Sequence, residues 1–346
     1  MILRPRPSPR HHAPLAGAPS AAPMATVPAW LRRAVPNAQS LAGKGVGLNA
    51  LEDVALTAGA AIGALDAVVR RQERWAGAWR QRLALAAAAV TAKQAGRVED
   101  ESALRDAVLL TRPGDFSSVG PAGLLFLAWR RLAVRPAEAL LKEKNLAAVL
   151  EEFGYAPDDE VVSDLADDLR QLAAGSGMVA TLTGTFMAAE RRGFGRAVGA
   201  WLADVLLAQR LGWTHAIPLL GGEAALAVGT GRPRRPLTAA LAASAETEAD
   251  GAKSLLGAQA RAALRAIDLS AELERRADRL LAVAPKLRAK AADTVVEQLL
   301  SDDAIVASEK IAGMSDRGLR RLFDRLVELG AVRELSGRPT FRIYGL

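Results

Sequence analysis

Apolar positions in this chain recur mostly at helical spacing. From Leu51 to Arg70, the residues Leu51, Val54, Ala58, Ile62, Leu65 and Val69 share one face, the pattern of an amphipathic helix. A second such segment runs from Trp75 to Ala95, with Gly96 as its stop. Glu101 to Leu110 continues the pattern and Pro113-Gly114-Asp115 ends it. Pro121 opens a helix that runs to about Val134 and carries Trp129; Pro136 opens another, toward Phe153, with Gly154 as its stop. Leu172 to Ala189 has no charged residue, but its glycines and threonines are too weakly apolar for a membrane span, so a buried helix is expected. A helix from Ala197 to Leu211 follows, then a loop from Trp213 to Leu220. Thr238 to Ala284 is a long alanine-rich helical stretch, expected to break near Gly251 or Gly257. Its late seam is Leu269, Leu273, Ala277, Leu280 and Leu281, and Pro285 ends it.

The pattern changes in the last fifty-odd residues. Thr294 to Leu300 places Val295, Val296, Leu299 and Leu300 on one face. Ser308 to Ala312 fits a short second helix with Ser308 as N-cap, ended by Gly313. Ser315 caps a third helix, with Leu319, Leu322, Phe323, Leu326 and Leu329 on one side and Arg317, Arg320, Arg321, Asp324 and Glu328 on the other. Gly330 sits just past its end, where a left-handed glycine belongs. Two short strands, Val332 to Leu335 and Thr340 to Tyr344, flank the turn Ser336-Gly337-Arg338-Pro339, where Gly337 supplies a positive φ.

The expected fold is therefore mainly α: a multi-helix bundle body with a C-terminal winged helix-turn-helix whose wing is a small β-hairpin. The expected organisation is a disordered leader over residues 1–36, a helical body over 37–230, a helical connector packed on the body over 237–285, and the winged module over 286–346. A module of this kind sets its third helix in the major groove of DNA. Arg317, Arg320 and Arg321 would meet phosphates or base edges, with Arg338 at the wing tip and Arg333 and Arg342 nearby. The plainer reading is a solvated helix face whose arginines pair with Asp324 and Glu328. The acidic residues of the segment nearly cancel its basic ones, so the footprint is not strongly positive.

Composition agrees with helices packed on small side chains. Half of the 346 residues are hydrophobic but only 4% are aromatic. The net charge of +7 hints at an acidic partner, although part of the excess lies in the leader. There is no cysteine, which removes disulfides, thiolate chemistry and cysteine-ligated metals. The leader, rich in proline, alanine and arginine, has no acidic residue before Glu52 and no secretory apolar region. Its prolines argue against an organelle transit peptide, and Met24 is an alternative start.

Candidate chemistry is sparse. Two of the three histidines, His11 and His12, lie in the leader and only His215 in the body; a lone loop histidine is more often a satisfied side chain than a base. Asp158, Asp159, Glu160, Asp164, Asp167 and Asp168 form an acidic patch. Asp164 and Asp168 share a helix face, so a divalent ion is conceivable, but complementing a helix dipole is the simpler reading. Trp75 and Trp79 read as core anchors, an aromatic ligand platform being the sharper alternative. Gly193-Phe194-Gly195 with Gly199 lacks the spacing and preceding strand of a phosphate loop. The turn-rich run Gly229 to Pro236, with Arg232, Arg234 and Arg235, reads as a linker at the main boundary. Neither a nucleophile elbow, nor a metalloprotease helix, nor a nucleotide-binding loop is spelled out. No cofactor or metal is implied.

Several segments resemble one uncharacterised bacterial family. GALDAVVRRQERWAGAWRQRLALAAA, GRVEDESALRDAVLLTRPGD, GPAGLLFLAWRRLA, ADRLLAVAPKLRAKAADTVVEQLL and GMSDRGLRRLFDRLVELGAVRELSGRPTFRIYGL look like the family catalogued as domain of unknown function 1403, from about Trp30 onward. The closing segment also resembles the winged-helix tail of a second uncharacterised, rhizobial-type family of plasmid-rich soil bacteria. A fainter similarity, in the order helical body then winged tail, is to Fic proteins, which transfer nucleotides onto hydroxyls. Their signature is His-Pro-Phe-x-Asp-Gly-Asn-Gly-Arg. The nearest stretch here, His215-Ala216-Ile217-Pro218-Leu219-Leu220-Gly221-Gly222, lacks the acidic metal ligand, the asparagine and the arginine, so no Fic role carries over. The resemblance implies a fold and a bacterial cytoplasm, but no activity. The expectation is a DNA-binding regulatory protein that acts through its C-terminal module, with DNA as partner, a homodimer as a further association and no membrane. The alternatives are a protein-interaction or self-association module of a bacterial mobile element and a divergent Fic-like enzyme lacking the Fic signature.

Overall fold

The computed structural model describes residues 27–36, 50–111, 115–175, 177–223, 240–289, 291–337 and 340–346, with side chains in the long helix from 249 onward. Thirteen helices and three short strands lie among them. The helices are α1 (Ala29–Ala34), α2 (Leu51–Arg70), α3 (Ala76–Gln94), α4 (Glu101–Leu109), α5 (Phe116–Val134), α6 (Ala137–Leu140) and α7 (Glu143–Glu152). They continue with α8 (Asp159–Gly175), α9 (Met178–Arg191), α10 (Arg196–Leu211), α11 (Ala240–Val283), α12 (Ala292–Ser301) and α13 (Asp316–Glu328). The strands are β1 (Ile305–Val306), β2 (Arg333–Glu334) and β3 (Ile343–Gly345). Most of the leader, the histidine pair His11-His12 and the linker 229–236 lie outside the described residues.

The helices form where the apolar period predicts, with five differences. Residues Ala29–Ala34, expected to belong to the disordered leader, form α1 and bury Leu31 against the core. Leu172 to Ala189 is not one helix: α8 ends at Gly175 and α9 starts at Met178 with Gly177 as its N-cap. The stretch from Pro136 is two helices, broken at Leu141 and Lys142. The alanine-rich stretch does not break at Gly251 or Gly257 and runs unbroken over 44 residues, because alanine and leucine supply enough helix preference to absorb a glycine cost of about 1 kcal/mol each. Segment 308–312 is not helical: 309–311 is irregular, with turns at 307–308 and 312–313. Elsewhere punctuation acts as expected. Gly120, at φ +72°, interrupts α5 so that Pro121 opens its straight part. No described helix is long and apolar enough to cross a membrane.

Small residues set the packing. The most extensive helix pair is α2 with α11, whose buried faces are rich in alanine: Ala58 and Ala61 on one, Ala258, Ala262, Ala263 and Ala266 on the other. Tryptophans fill what the alanines leave, and the most deeply buried indole N–H groups have partners, as an interior requires. Trp79 donates to the Ala266 carbonyl (2.9 Å), Trp129 to Thr91 Oγ1 (3.0 Å) and Trp201 to the Ala128 carbonyl (3.0 Å). The main apolar cluster runs from Leu31 to Leu346, so residues 292–346 share the core of the body, and a small second cluster joins Ala304, Val306 and Ile343.

One buried carboxylate shapes the loop after α10. Asp204 accepts from the backbone N–H groups of Leu219 (2.7 Å) and Leu220 (3.1 Å), fixing the tight turn Leu220–Gly222. Burial pushes its carboxyl well above the ordinary range, although the two backbone donors pull the other way. A raised acid binds its proton more tightly folded than unfolded, so this group lowers stability as pH rises from about 4, its unfolded value. Asp204→Asn keeps an acceptor and loses the charge. Urea unfolding should find it at least as stable as wild type at pH 8 and flatter between pH 5 and pH 8. Asp204→Ala, which orphans both N–H groups, should lose about 2 kcal/mol.

Candidate nucleic-acid interface

The C-terminal residues build a surface around α13. Ser315 Oγ accepts from the Gly318 N–H (3.2 Å) at its start. Gly330 lies past its end at φ +64°, and the bonds Gly330 N–H to Val327 O and Ala331 N–H to Leu326 O close a Schellman motif. Both caps stand where the sequence placed them. Leu319, Leu322, Phe323 and Leu326 are buried, and Phe323 stacks on Tyr344 of β3 with ring centroids 4.3 Å apart. Three strands back the helix in the order β1-β3-β2, all antiparallel, with Ile305 opposite Tyr344 and Arg333 opposite Gly345. The strands of the hairpin are shorter than expected, and β1 was not foreseen. Gly337 has the expected positive φ of +59°, while Phe341, at +57°, takes the same region unexpectedly.

Arg317, Arg320 and Arg321 all lie exposed on the first half of α13, and none pairs with an acid among the described residues. The acids expected to neutralise them are engaged elsewhere: Glu328 holds Arg325 at 2.9 Å, and Asp324 lies 4.0 Å from Arg342. Arg342 is thus a paired residue, held also near Glu334 (3.8 Å), and its guanidinium is raised first by a hydrogen bond with Tyr344 and then by Glu334. Arg333 is exposed on β2, and its charge, after burial, helps lower Arg276 of α11. Arg338 lies outside the described residues.

The near balance of charge in the sequence is not a balance on this surface. Residues 286–346 hold eleven basic and nine acidic residues, but three of the acids turn to the body. Asp303 is clamped between Arg82 of α3 and Arg105 of α4, Asp302 meets Arg130 of α5 at 3.2 Å and the Gln81 amide at 2.7 Å, and Glu297 bonds Arg74. Asp303 is 4% exposed. Burial alone would raise it, yet the charges of Arg82 and Arg105 outweigh burial and hold it below the usual carboxylate range. Sequence reading missed this clamp. The local signal for it was Arg82 on alanine-rich α3 and Arg105 between the apolar positions Leu104 and Val108 of α4.

The other candidates resolve into structure. Asp168 is held by Arg192 (2.5 Å) and Arg191 (3.1 Å), and Asp167 pairs with Arg170. No group of three or more His, Asp or Glu able to hold a metal occurs among the described residues. Gly193 to Gly195 is the connection into α10, with the Gly195 N–H donating to Tyr155 Oη (2.6 Å). His215 is half-buried, and its backbone bridges Pro136. Burial, then the charge of Arg80, holds its imidazole below the usual histidine value.

Fold and surface together define a mainly helical protein whose C-terminal residues present a three-stranded sheet and an arginine-bearing helix. The chain belongs to the family described as protein of unknown function DUF1403, which it matches over residues 20–346. No curated protein and no solved structure matches it.

Proposed function

We propose that residues 292–346 are a winged helix-turn-helix and that the protein is a DNA-binding regulator, with α13 as recognition helix and β2–β3 as wing. The observation that carries this reading is the exposed trio Arg317, Arg320 and Arg321, unpaired among the described residues on the first half of a doubly capped helix. Recognition helices contact base edges and phosphates from their N-terminal part. The strand order β1-β3-β2 suits a winged module, and the turns of 307–314 stand where a second helix would be. Withdrawal of Asp302, Asp303 and Glu297 toward the body leaves the far side more cationic than its composition. Arg333 contributes at the hinge of the wing, while Arg342 supports the wing through Glu334 rather than reading DNA.

Fluorescence anisotropy on labelled duplex DNA tests this. Affinity should fall steeply between 50 and 200 mM salt, taken as about the range in which counterion release is read. The Arg320→Ala/Arg321→Ala pair should reduce the slope of log K against log[salt] by about 2, at about 0.9 per lost phosphate contact. Unchanged binding would remove both residues from the interface.

A second reading, self-association through the same module, is favoured by exposed apolar side chains there: Val327, Leu329 and Phe341, the last 65% exposed. Sedimentation showing a salt-insensitive dimer without DNA would select it.

A further inference from the structure

We propose that the cavity bounded by the turn between α2 and α3, the 214–217 loop and the end of α12 binds a small organic monocarboxylate with a flat apolar body. The cavity has a volume of about 330 Å³, at the small end of ligand sites. Its apolar wall includes Val69, Trp75, Trp79 and Ile217. The indole N–H of Trp79 is already committed to Ala266 and its ring is 2% exposed, so the open apolar surface is that of Val68 and Val69.

The polar lining holds Gln72, Thr214 and Ser301, and its one cation without an acidic partner among the described residues is Arg80, beside His215. Arg80 lines the cavity and spends its Nε on the Ala133 carbonyl (2.9 Å). Neither of its terminal nitrogens meets an acid among the described residues, and burial pushes the guanidinium down to about 10. A largely buried guanidinium with no carboxylate beside it is costly unless an anion completes it. The other charges of the lining are satisfied: Glu73 by Arg71 at 2.8 Å, and Arg74 by Glu297. His215, held neutral by burial and by Arg80, supplies one N–H donor. Helix α3 begins at this wall with no side-chain cap; the Ala76 N–H is taken by the Glu73 carbonyl, and the N–H groups that follow favour negative charge in the same place. Gln72, on the lining at φ +46°, holds the turn in a conformation a non-glycine residue rarely takes.

The count of charges selects the ligand class. A single planar guanidinium matches a carboxylate in two-point geometry. A phosphate dianion would leave a charge uncompensated near Glu73 and would not use the apolar wall. The ligand is therefore a monoanion with a flat apolar body, such as an aromatic carboxylate.

Calorimetric titration of the full chain with 2-naphthoate is the test. Saturable binding at one site is expected, with 2-naphthamide, the same ring without the charge, at least about tenfold weaker. Arg80→Gln should weaken 2-naphthoate about tenfold or more, with Arg80→Lys between the two. Thr214→Trp fills the cavity from an exposed position; it should abolish binding without lowering the unfolding midpoint, and it decides the matter alone if Arg80→Gln does not fold. The proposal is overturned if no saturable binding is found at millimolar 2-naphthoate, if Arg80→Gln or Thr214→Trp binds as wild type does, or if inorganic phosphate competes equally.

Discussion

Asp303→Ala should lower the unfolding free energy by about 3–5 kcal/mol, the cost of removing one partner from a buried ion cluster. The carboxylate accepts from Arg105 Nε at 2.6 Å through one oxygen and from Arg82 through the other, while Arg82 Nη2 also reaches the Asp303 carbonyl at 3.2 Å. Its loss leaves two guanidinium groups, 8% and 13% exposed, without their counter-charge. Arg82 lies on α3 and Arg105 on α4, and Asp303 follows α12, so the damage falls where residues 292–346 pack on α3 and α4. Urea unfolding checks the size, and a loss below about 1 kcal/mol would class the cluster with surface pairs. A triple variant, Arg82→Met/Arg105→Leu/Asp303→Leu, should recover most of the stability, because an apolar replacement of a whole buried cluster is often neutral. The pH dependence has a definite sign. Asp303 is depressed in the folded state, so its contribution is present above its unfolded value of about 4 and is lost as pH falls through the folded value. Wild type should therefore lose stability in acid more steeply than Asp303→Asn does.

Gly77→Ala should be the second large effect, about 3 kcal/mol, at the upper end of what a single added methyl costs when it meets backbone. A Cβ at Gly77 would overlap the carbonyl of Ser301 and stand 2.8 Å from its Cα. No rotamer relieves this, since the obstacle is main chain. The end of α12 must move away from the start of α3, and the nearby Gln81 bond to the Ser301 carbonyl (3.0 Å) should break with it. Gly59→Ala, on α2 with nothing near its would-be Cβ, is the control; it should be stabilising by a few tenths to about 1 kcal/mol. Equal thermal midpoints for the two variants would show that the approach of α3 to Ser301 has slack.

Local chemistry was legible in the sequence and distant pairing was not. Helix α2 has the bounds read from its apolar period, and the caps Ser315 and Gly330 were readable because a cap is a property of neighbouring residues. The failure at Ser308 to Ala312 is of another kind. Ile311 is buried, but one inward side chain is satisfied by a turn as well as by a helix. Strand β1 is two residues long and gains its identity only from pairing with β3. Nothing local marks Asp302 and Asp303, since the arginines that bury Asp303 stand 221 and 198 residues away. Arg80 and His215 are likewise brought together by the fold. The exposure of Arg317, Arg320 and Arg321 was foreseen; the diversion of Asp324 and Glu328 to other arginines was not.

The docking of α11 on α1, α2 and α3 also sets an order of events during synthesis. Trp79 finds the carbonyl of Ala266 only after 187 further residues have been made, and Arg32 waits longer still for Asp268, 236 residues on. At about 5–20 residues per second the first of these delays is about 10–40 s. Throughout it the nascent N-terminal half must hold its alanine-lined face without the partner that covers it, a helical protein with the late-closing contacts more usual in β-sheet folds. Ribosome-stalled chains ending before residue 240 should accordingly be protease-sensitive and bind general chaperones, whereas chains extended beyond α11 should not.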